Sequence, residues 1–512
     1  MSRIKDKNYI FLISAFVLLT IFYLITEYII TGHRWGVPLD DTWIHFRFAE
    51  NFAKGYFFQY NIGEPVPGTT SPLWVIIMSI PFIFSSNIYL PFAYIIGSVF
   101  LLLTVLEVYK LSRKLGFTNN YSLLIAFLTL VCGRLLWSSL SGMEITLACW
   151  LMVLITRIHL QEIEEEKLRP VTGLLLGFCS VIRPEAILLA LIYYLVSVIL
   201  LRNKLKENVQ SLTYSVSIFI ALLIPYALFS FSTTGSFLPT TFKGQNAGFR
   251  ILPDMDYLRE TGKLFFRDNV LILILWFVAV YFFIRSMISR KYEKKFLLIN
   301  MWILLLPLIS SFVAPNWRHH GRYLIPLIPF INIAAIYIFA YKFNRSQMPS
   351  PKEARIYRII IVAVLFILSG INAVVFALAL GWNTDNINNQ QVNIANWINA
   401  NIPNEKCIAI NDIGAITFLT NKRIVDMEGL ITPEIFTING LPQVQKDLKK
   451  LYLLKRNGVN YMIIYPEWYE SFVNSYGSFL ERLYFAKLEK NTICGGDSMV
   501  VYKIKWDKLN IN

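Results

Sequence analysis

The stretch GVPLDDTWIHFRFAE, residues 36–50, sets Asp40 beside Asp41, ten residues past the apolar run Tyr9–Ile30. An ionised carboxylate held in a fixed place is what a general base needs, provided it reaches the hydroxyl it deprotonates. The same pair also suits the start of a helix. Trp43, Phe46 and Ala53 fall near one helical face with Ile44, Phe48 and Phe52 flanking it, and either Asp can be the N-cap. The two roles are compatible, because a carboxylate at a helix N-terminus is stabilised as the anion.

The loop that follows, NIGEPVPGTTSPLW, is rich in turn residues and carries Glu64, Thr69, Thr70 and Ser71. It can return the chain across the mouth of a cavity and offer hydroxyls, or it can be a plain connection. Further along, Arg134 and Glu144 flank WSSLSG, and Arg183 and Glu185 bracket a proline. Lys243 follows LPTTF, and Arg318, His319, His320 and Arg322 lie in APNWRHHGRYLIP. Ionisable groups beside membrane segments are functional candidates by default. Each also has a structural reading: Arg183 can pair with Glu185 alone, Glu27 and Glu144 can reach headgroups, Lys243 can bind lipid phosphate, and Arg322 can anchor at the interface.

The elements that must position these groups are mostly membrane helices. The 512 residues are 55% hydrophobic with a mean hydropathy of +0.50, above a soluble domain. Apolar runs fall near 9–30, 73–88, 89–110, 121–138, 141–158, 170–183, 184–201, 211–231, 269–288, 296–313, 322–341 and 359–380. The first is too long for a signal-peptide core and reads as a retained span. The net charge is +15, and 22 of the 48 Lys and Arg residues lie in six short clusters between apolar runs. That is the positive-inside pattern, so membrane lipid rather than nucleic acid is the expected partner. If the run 73–88, with its central proline, lies in the outer interface or re-enters, all six clusters are cytoplasmic. The expectation is a polytopic α-helical membrane protein of about eleven transmembrane helices, N-terminus in and C-terminus out. The ionisable groups above then face the outer rim. The run 170–183 spans about 20 Å as a helix, short of a core of about 30 Å, so its charged turn should line an outward cavity.

Residues 1–384 read as the membrane domain, with 31–88 as its first external loop, and 385–512 as an exported soluble α/β domain. In the latter, QQVNIANWINANIP reads as an amphipathic helix and KCIAIND as a strand ending in a turn at Asp412-Ile413-Gly414. KDLKKLYLLKRNG reads as a helix and NYMIIYP as a strand. Cys132, Cys149 and Cys179 read as buried hydrophobes, and a disulfide between Cys407 and Cys494 is left open by spacing. No metal-ligand motif and no cofactor signature is present.

DDTWIHFRFAENFAKGYFFQYNIGEPVPGTTSPLW resembles the first external loop of GT-C superfamily membrane glycosyltransferases, closest in flavour to the branch of the mycobacterial terminal arabinofuranosyltransferase. SLSGMEITL, VIRPEAILLAL, FLPTTFKGQ and GRYLIPLIPF recur in the same order in that branch, and ANWINANIPNEKCIAINDIGAITFLTNKRIVDMEGL resembles the opening of its exported domain. The resemblance implies the GT-C fold and an inverting glycosyltransferase. The donor would be a polyprenyl-phosphate sugar and the acceptor a cell-envelope glycan, glycolipid or protein on the outer face of the plasma membrane. It implies Asp40 as base with Asp41 as helper or substrate-positioning partner. Arg322 would hold the donor phosphate, with His319, His320, Lys243 and Arg183 as further candidates. Glu64, Thr70, Ser71, Glu144 and Glu185 are candidates for sugar or acceptor. Thr42-Trp43 and Thr69-Thr70 depart from the commoner residues of the branch, so sugar identity does not carry over. A lipid-linked glycan polymerase or ligase, and a lipid or sugar flippase, are the competing readings; the short loop at Arg318–Arg322 disfavours the former, and the lack of a visible repeat the latter.

Overall fold

The computed structural model describes residues 2–241, 248–342 and 351–508. Contacts divide the chain into two compact units, one of residues 1–25, 94–224 and 248–378, the other of residues 26–93, 225–247 and 379–512.

Among the described residues eight helices are long and apolar enough to cross a membrane, nine when one bent pair is counted as a span. They include α1 (Ser2–Ile30) and the helices Tyr89–Lys114, Ile145–Glu165, Leu205–Thr234, Met255–Ile288 and Leu297–Val313. Three shorter apolar helices accompany them: Pro72–Phe84, Pro170–Ile182 and Ala186–Leu200.

Two helices depart from the expected runs for identifiable reasons. The run 121–138 is not one helix but two, Asn119–Leu130 and Gly133–Ser139, bent by 59°. At the bend the Gly133 N–H donates to Asn372 Oδ1 at 2.7 Å instead of to its own helix. Only glycine permits this approach, since a Cβ there would lie 2.6 Å from the Asn372 carbonyl oxygen. The helix Met255–Ile288 is two helical segments that meet at Asn269, whose backbone is extended (φ −168°, ψ 106°), and the expected apolar run 269–288 begins at that break. The Asn269 Oδ1 accepts from the N–H groups of Leu271 and Ile272 at 3.1 and 3.2 Å, capping the second half.

In the second unit, α2 (Asp40–Ala53) is followed by a short hairpin, β1 (Gln59–Asn61) and β2 (Glu64–Pro65), and then α3 (Pro72–Phe84). α3 has 13 residues and an internal Pro81. At 1.5 Å per residue it reaches about 20 Å, too short to cross alone. The C-terminal part carries a five-stranded sheet of β3 (Cys407–Ile410), β4 (Ile424–Asp426), β5 (Val459–Ile464), β6 (Leu480–Lys487) and β7 (Ser498–Ile504), in the order β4-β3-β5-β7-β6. β4, β3 and β5 are parallel; β7 and β6 extend the sheet antiparallel. The strands expected in KCIAIND and NYMIIYP are present as residues 407–410 and 459–464, and the helices expected in QQVNIANWINANIP and KDLKKLYLLKRNG as residues 393–401 and 443–456. Its core gathers Ala409, Met427, Leu454, Met462, Phe472 and Val500. All five thiols are free: Cys407 lies 3.5 Å from Arg423 Nη1, and Cys494 Sγ lies 3.6 Å from Gln391 Oε1.

Candidate active site

α2 begins at Asp40, and its N-cap position is taken by Leu39 with no side-chain bond. Neither Asp40 nor Asp41 therefore caps α2, contrary to the simplest helix-start reading. Asp40 instead caps another helix, Gly414–Thr420. Its Oδ2 accepts the Gly414 N–H at 2.6 Å and its Oδ1 the Ala415 N–H at 2.8 Å. A four-residue-deep helix start usually leaves such amides without internal partners, and a remote carboxylate satisfies them here. Asp40 is 8% exposed, while Asp41 is only partly buried.

A second carboxylate meets the first. Asp412 hydrogen-bonds Asp40 side chain to side chain. Asp412 Oδ2 also accepts from Gln391 Nε2 and from the Tyr465 hydroxyl, both at 2.8 Å. Burial pushes the Asp40 carboxyl well above the usual carboxylate range; the charge and hydrogen bond of Asp412 push the same way, and the Ala415 and Gly414 amides pull against them. Asp412 follows β3 and Tyr465 follows β5, two neighbouring parallel strands. The connection out of β3 leads to β4 on one side, while β5 lies on the other. This is a topological switch point, where the carboxyl ends of strands open a crevice for ligands. Asn411, one residue earlier, is 7% exposed, and neither atom of its carboxamide has a hydrogen-bond partner.

The first loop is tied to the same sheet. Tyr60 OH donates to the Ile413 carbonyl at 2.6 Å. Arg47 donates to the Tyr60 carbonyl at 3.2 Å and to Asn421 Oδ1 at 2.6 Å. Asn61 exchanges two bonds with the backbone of Ile424, at 2.9 and 3.0 Å. Glu64 is exposed and pairs with Arg423 at 2.7 Å. Ser71 is buried just before α3, and Thr70 is half-buried beside it.

The remaining candidates lie in the first unit and form one cluster around Arg183. This side chain is 1% exposed and bonds Glu144 at 2.8 Å and Glu185 at 2.5 Å. Its guanidinium lies 4.8 Å from the centre of the Tyr323 ring. Arg322 sits 5.1 Å from the same ring and donates to its hydroxyl at 3.2 Å. His319 and His320 adopt left-handed backbone (φ 51° and 58°). The His320 ring packs against Trp137 and Phe376 at 4.8 and 5.2 Å. Arg134 holds this loop: it donates to the His320 carbonyl at 3.2 Å and makes a bidentate pair with Asp268. Lys243 lies outside the described residues. Among the described residues no three His, Cys, Asp or Glu side chains gather as a metal-ligand set.

Sequence reasoning missed Asp412, Tyr465 and Asp268. A signal for the first two existed: a carboxylate two residues past one short apolar strand and a tyrosine directly after another, in a domain read as α/β. Asp268 had none, since it sits in a polar stretch of no distinctive pattern.

No curated protein matches the chain by sequence. A family model described as a domain of unknown function, DUF8728, matches residues 385–502. Solved structures are similar along nearly the whole chain. ArnT from Cupriavidus metallidurans bound to undecaprenyl phosphate has a TM-score of 0.61 at 11% identity, covering 95% of this chain and 97% of that one. The Archaeoglobus fulgidus oligosaccharyltransferase with zinc and sulfate has a TM-score of 0.59 at 13% identity, covering 97% and 74%. The same organism's oligosaccharyltransferase AglB, in complex with an inhibitory peptide and a dolichol-phosphate, has a TM-score of 0.55 at 11% identity, covering 98% and 75%. These are GT-C glycosyltransferases, and this chain is a multi-pass helical membrane protein with the GT-C fold.

Proposed function

We propose that the chain is an inverting glycosyltransferase that moves a sugar from a polyprenyl-phosphate donor to a hydroxyl of a cell-envelope glycan, glycolipid or protein acceptor on the outer face of the plasma membrane. The observation that carries this reading is the buried carboxyl of Asp40, the first residue of α2, fixed by the Gly414 and Ala415 amides at the start of the helix Gly414–Thr420. The fold it shares with a protein that binds undecaprenyl phosphate supports the donor class.

In the proposed reaction the acceptor hydroxyl gives its proton to Asp40 as its oxygen attacks the anomeric carbon. The bond from that carbon to the phosphate oxygen breaks on the opposite face, and polyprenyl phosphate leaves with the electron pair. Phosphate needs charge stabilisation more than protonation, which Arg, Lys or His supplies. Arg322 takes that role, with His319, His320 and Lys243 as further candidates. Arg183 is a weaker phosphate ligand than its charge suggests, because Glu144 and Glu185 already neutralise it. Those three residues then form a structural network beside Tyr323, and Asp41, Thr70 and Ser71 serve substrate positioning. The membrane topology in this reading has eleven crossings: the eight long helices, the bent pair and the two helices Pro170–Ile182 and Ala186–Leu200.

The test is transfer by the purified full chain in proteoliposomes, supplied in turn with undecaprenyl-phosphate and undecaprenyl-diphosphate sugars. Release of undecaprenyl phosphate from the monophosphate donor by the wild type, lost at least about 100-fold in Asp40→Asn, is the expected result. Exclusive use of the diphosphate donor would move the chain to the ligase class, and lipid flux without any acceptor to the flippases.

A further inference from the structure

We infer that Asp412 is a positioning residue for this reaction: through its hydrogen bond to Asp40 the C-terminal sheet domain orients and tunes the base. The inference rests on the reading of Asp40 as base and goes beyond it, because it makes the loop 411–415 part of the transfer machinery rather than of an appended domain.

Three observations support it. First, one loop supplies everything that holds Asp40: the Gly414 and Ala415 amides, and the Asp412 carboxyl. Second, two carboxyl groups in hydrogen-bond contact must share a proton. Gln391 Nε2 and the Tyr465 hydroxyl bond Asp412 Oδ2, while the Gly414 and Ala415 amides bond Asp40, so these partners fix both carboxyl groups around that proton. Third, Asp412 is itself anchored on the sheet by those two bonds, so it can hold Asp40 without drifting. A carboxylate made more basic than usual, yet held in one rotamer, suits removal of a proton from a sugar hydroxyl.

The charged and titratable groups that act on Asp40 besides Asp412 are few. Tyr60 of β1 and Cys494 interact with it electrostatically, as does Tyr465 beyond β5, and Arg47 faces Tyr60. Asp41 is its neighbour along α2. α3 and the helix Gly414–Thr420 carry no ionisable side chain.

The experiment is the pH profile of kcat/KM, from about pH 4 to pH 9, for the full chain in proteoliposomes with the undecaprenyl-phosphate sugar that the wild type consumes. The base works ionised, so the rate rises with pH through the titration of Asp40. In the wild type this acid limb should lie above the ordinary carboxylate value of about 4. Asp412→Asn removes the neighbouring charge, so the limb should fall by about one pH unit or more. Asp412→Glu should restore it. Tyr465→Phe withdraws one donor from Asp412, so the pair should hold its proton more tightly and the limb should rise. A purely structural role would lower activity without moving the limb. An unmoved limb in a folded Asp412→Asn protein, or in Tyr465→Phe should the first variant not fold, overturns the inference while the base reading stands. Full activity in Asp40→Asn overturns both.

Discussion

A Cβ at position 414 would stand 2.6 Å from the Asp40 carboxyl carbon, so the close approach of the two segments depends on glycine. Gly414→Ala should displace the carboxylate and cut transfer at least about tenfold, a displacement of about 1 Å being enough for larger losses. Transfer rate against an unchanged elution profile checks this. Asp426 gives a second residue-scale prediction. Burial pushes its carboxyl up to about 6, while the Ile431 and Glu428 amides pull it down. A raised folded value means the native state binds the proton more tightly. The resulting stabilisation is complete below the unfolded value of about 4 and is lost as pH rises through about 6, an effect on the order of 2–3 kcal/mol. Between pH 7 and pH 5 the thermal midpoint should rise in the wild type by more than in Asp426→Asn. Asp40 was legible at this scale because two carboxylates just after an apolar run are conspicuous. Asp412 was legible only as a turn, since what makes it matter is a partner 372 positions earlier that no local pattern reveals.

Elements add constraints that no single side chain shows. The helices Pro170–Ile182 and Leu205–Thr234 meet at Gly173, where a Cβ would fall 2.6 Å from the Ser215 carbonyl carbon. Gly173→Leu should prevent that packing, and loss of the monodisperse peak on purification is the expected outcome. Arg183 ties its own turn, which holds Glu185, to Glu144 at the start of the helix Ile145–Glu165, and its guanidinium packs on Tyr323. Arg183→Ala leaves the buried Glu144 and the partly buried Glu185 without their cation and should destabilise by about 3–5 kcal/mol, read as a lower thermal midpoint. Membrane helices were legible because an apolar run of that length has few alternatives. Their breaks were not, because the Gly133 N–H and the Asn269 side chain each bond a partner on a helix distant in sequence. The strands β6 and β7 were missed for another reason. β6 alternates partly exposed residues with polar ones and has no clear apolar face, and β7 is recognisable as sheet only beside β5.

At the scale of the whole molecule, composition, charge clustering and the order of apolar runs define a polytopic helical protein, and the GT-C fold is found along nearly its full length. Fold does not fix chemistry, so the function rests on the carboxylate site. Residues 40–61 and the C-terminal sheet belong to one compact unit, joined through Asp40, Tyr60, Asn61 and Arg47. The α/β domain was therefore recognised correctly as a sheet domain from its helix and strand pattern, but its bonds to residues 40–61 lay beyond any sequence window. The proposed role of Asp40, deprotonating an acceptor for a polyprenyl-phosphate donor, is tested by a single-turnover measurement of undecaprenyl phosphate release. With wild-type chain and its acceptor, release should occur in step with acceptor glycosylation, and Asp40→Asn should abolish both while the donor still binds. Equal release by Asp40→Asn and wild type would contradict the account.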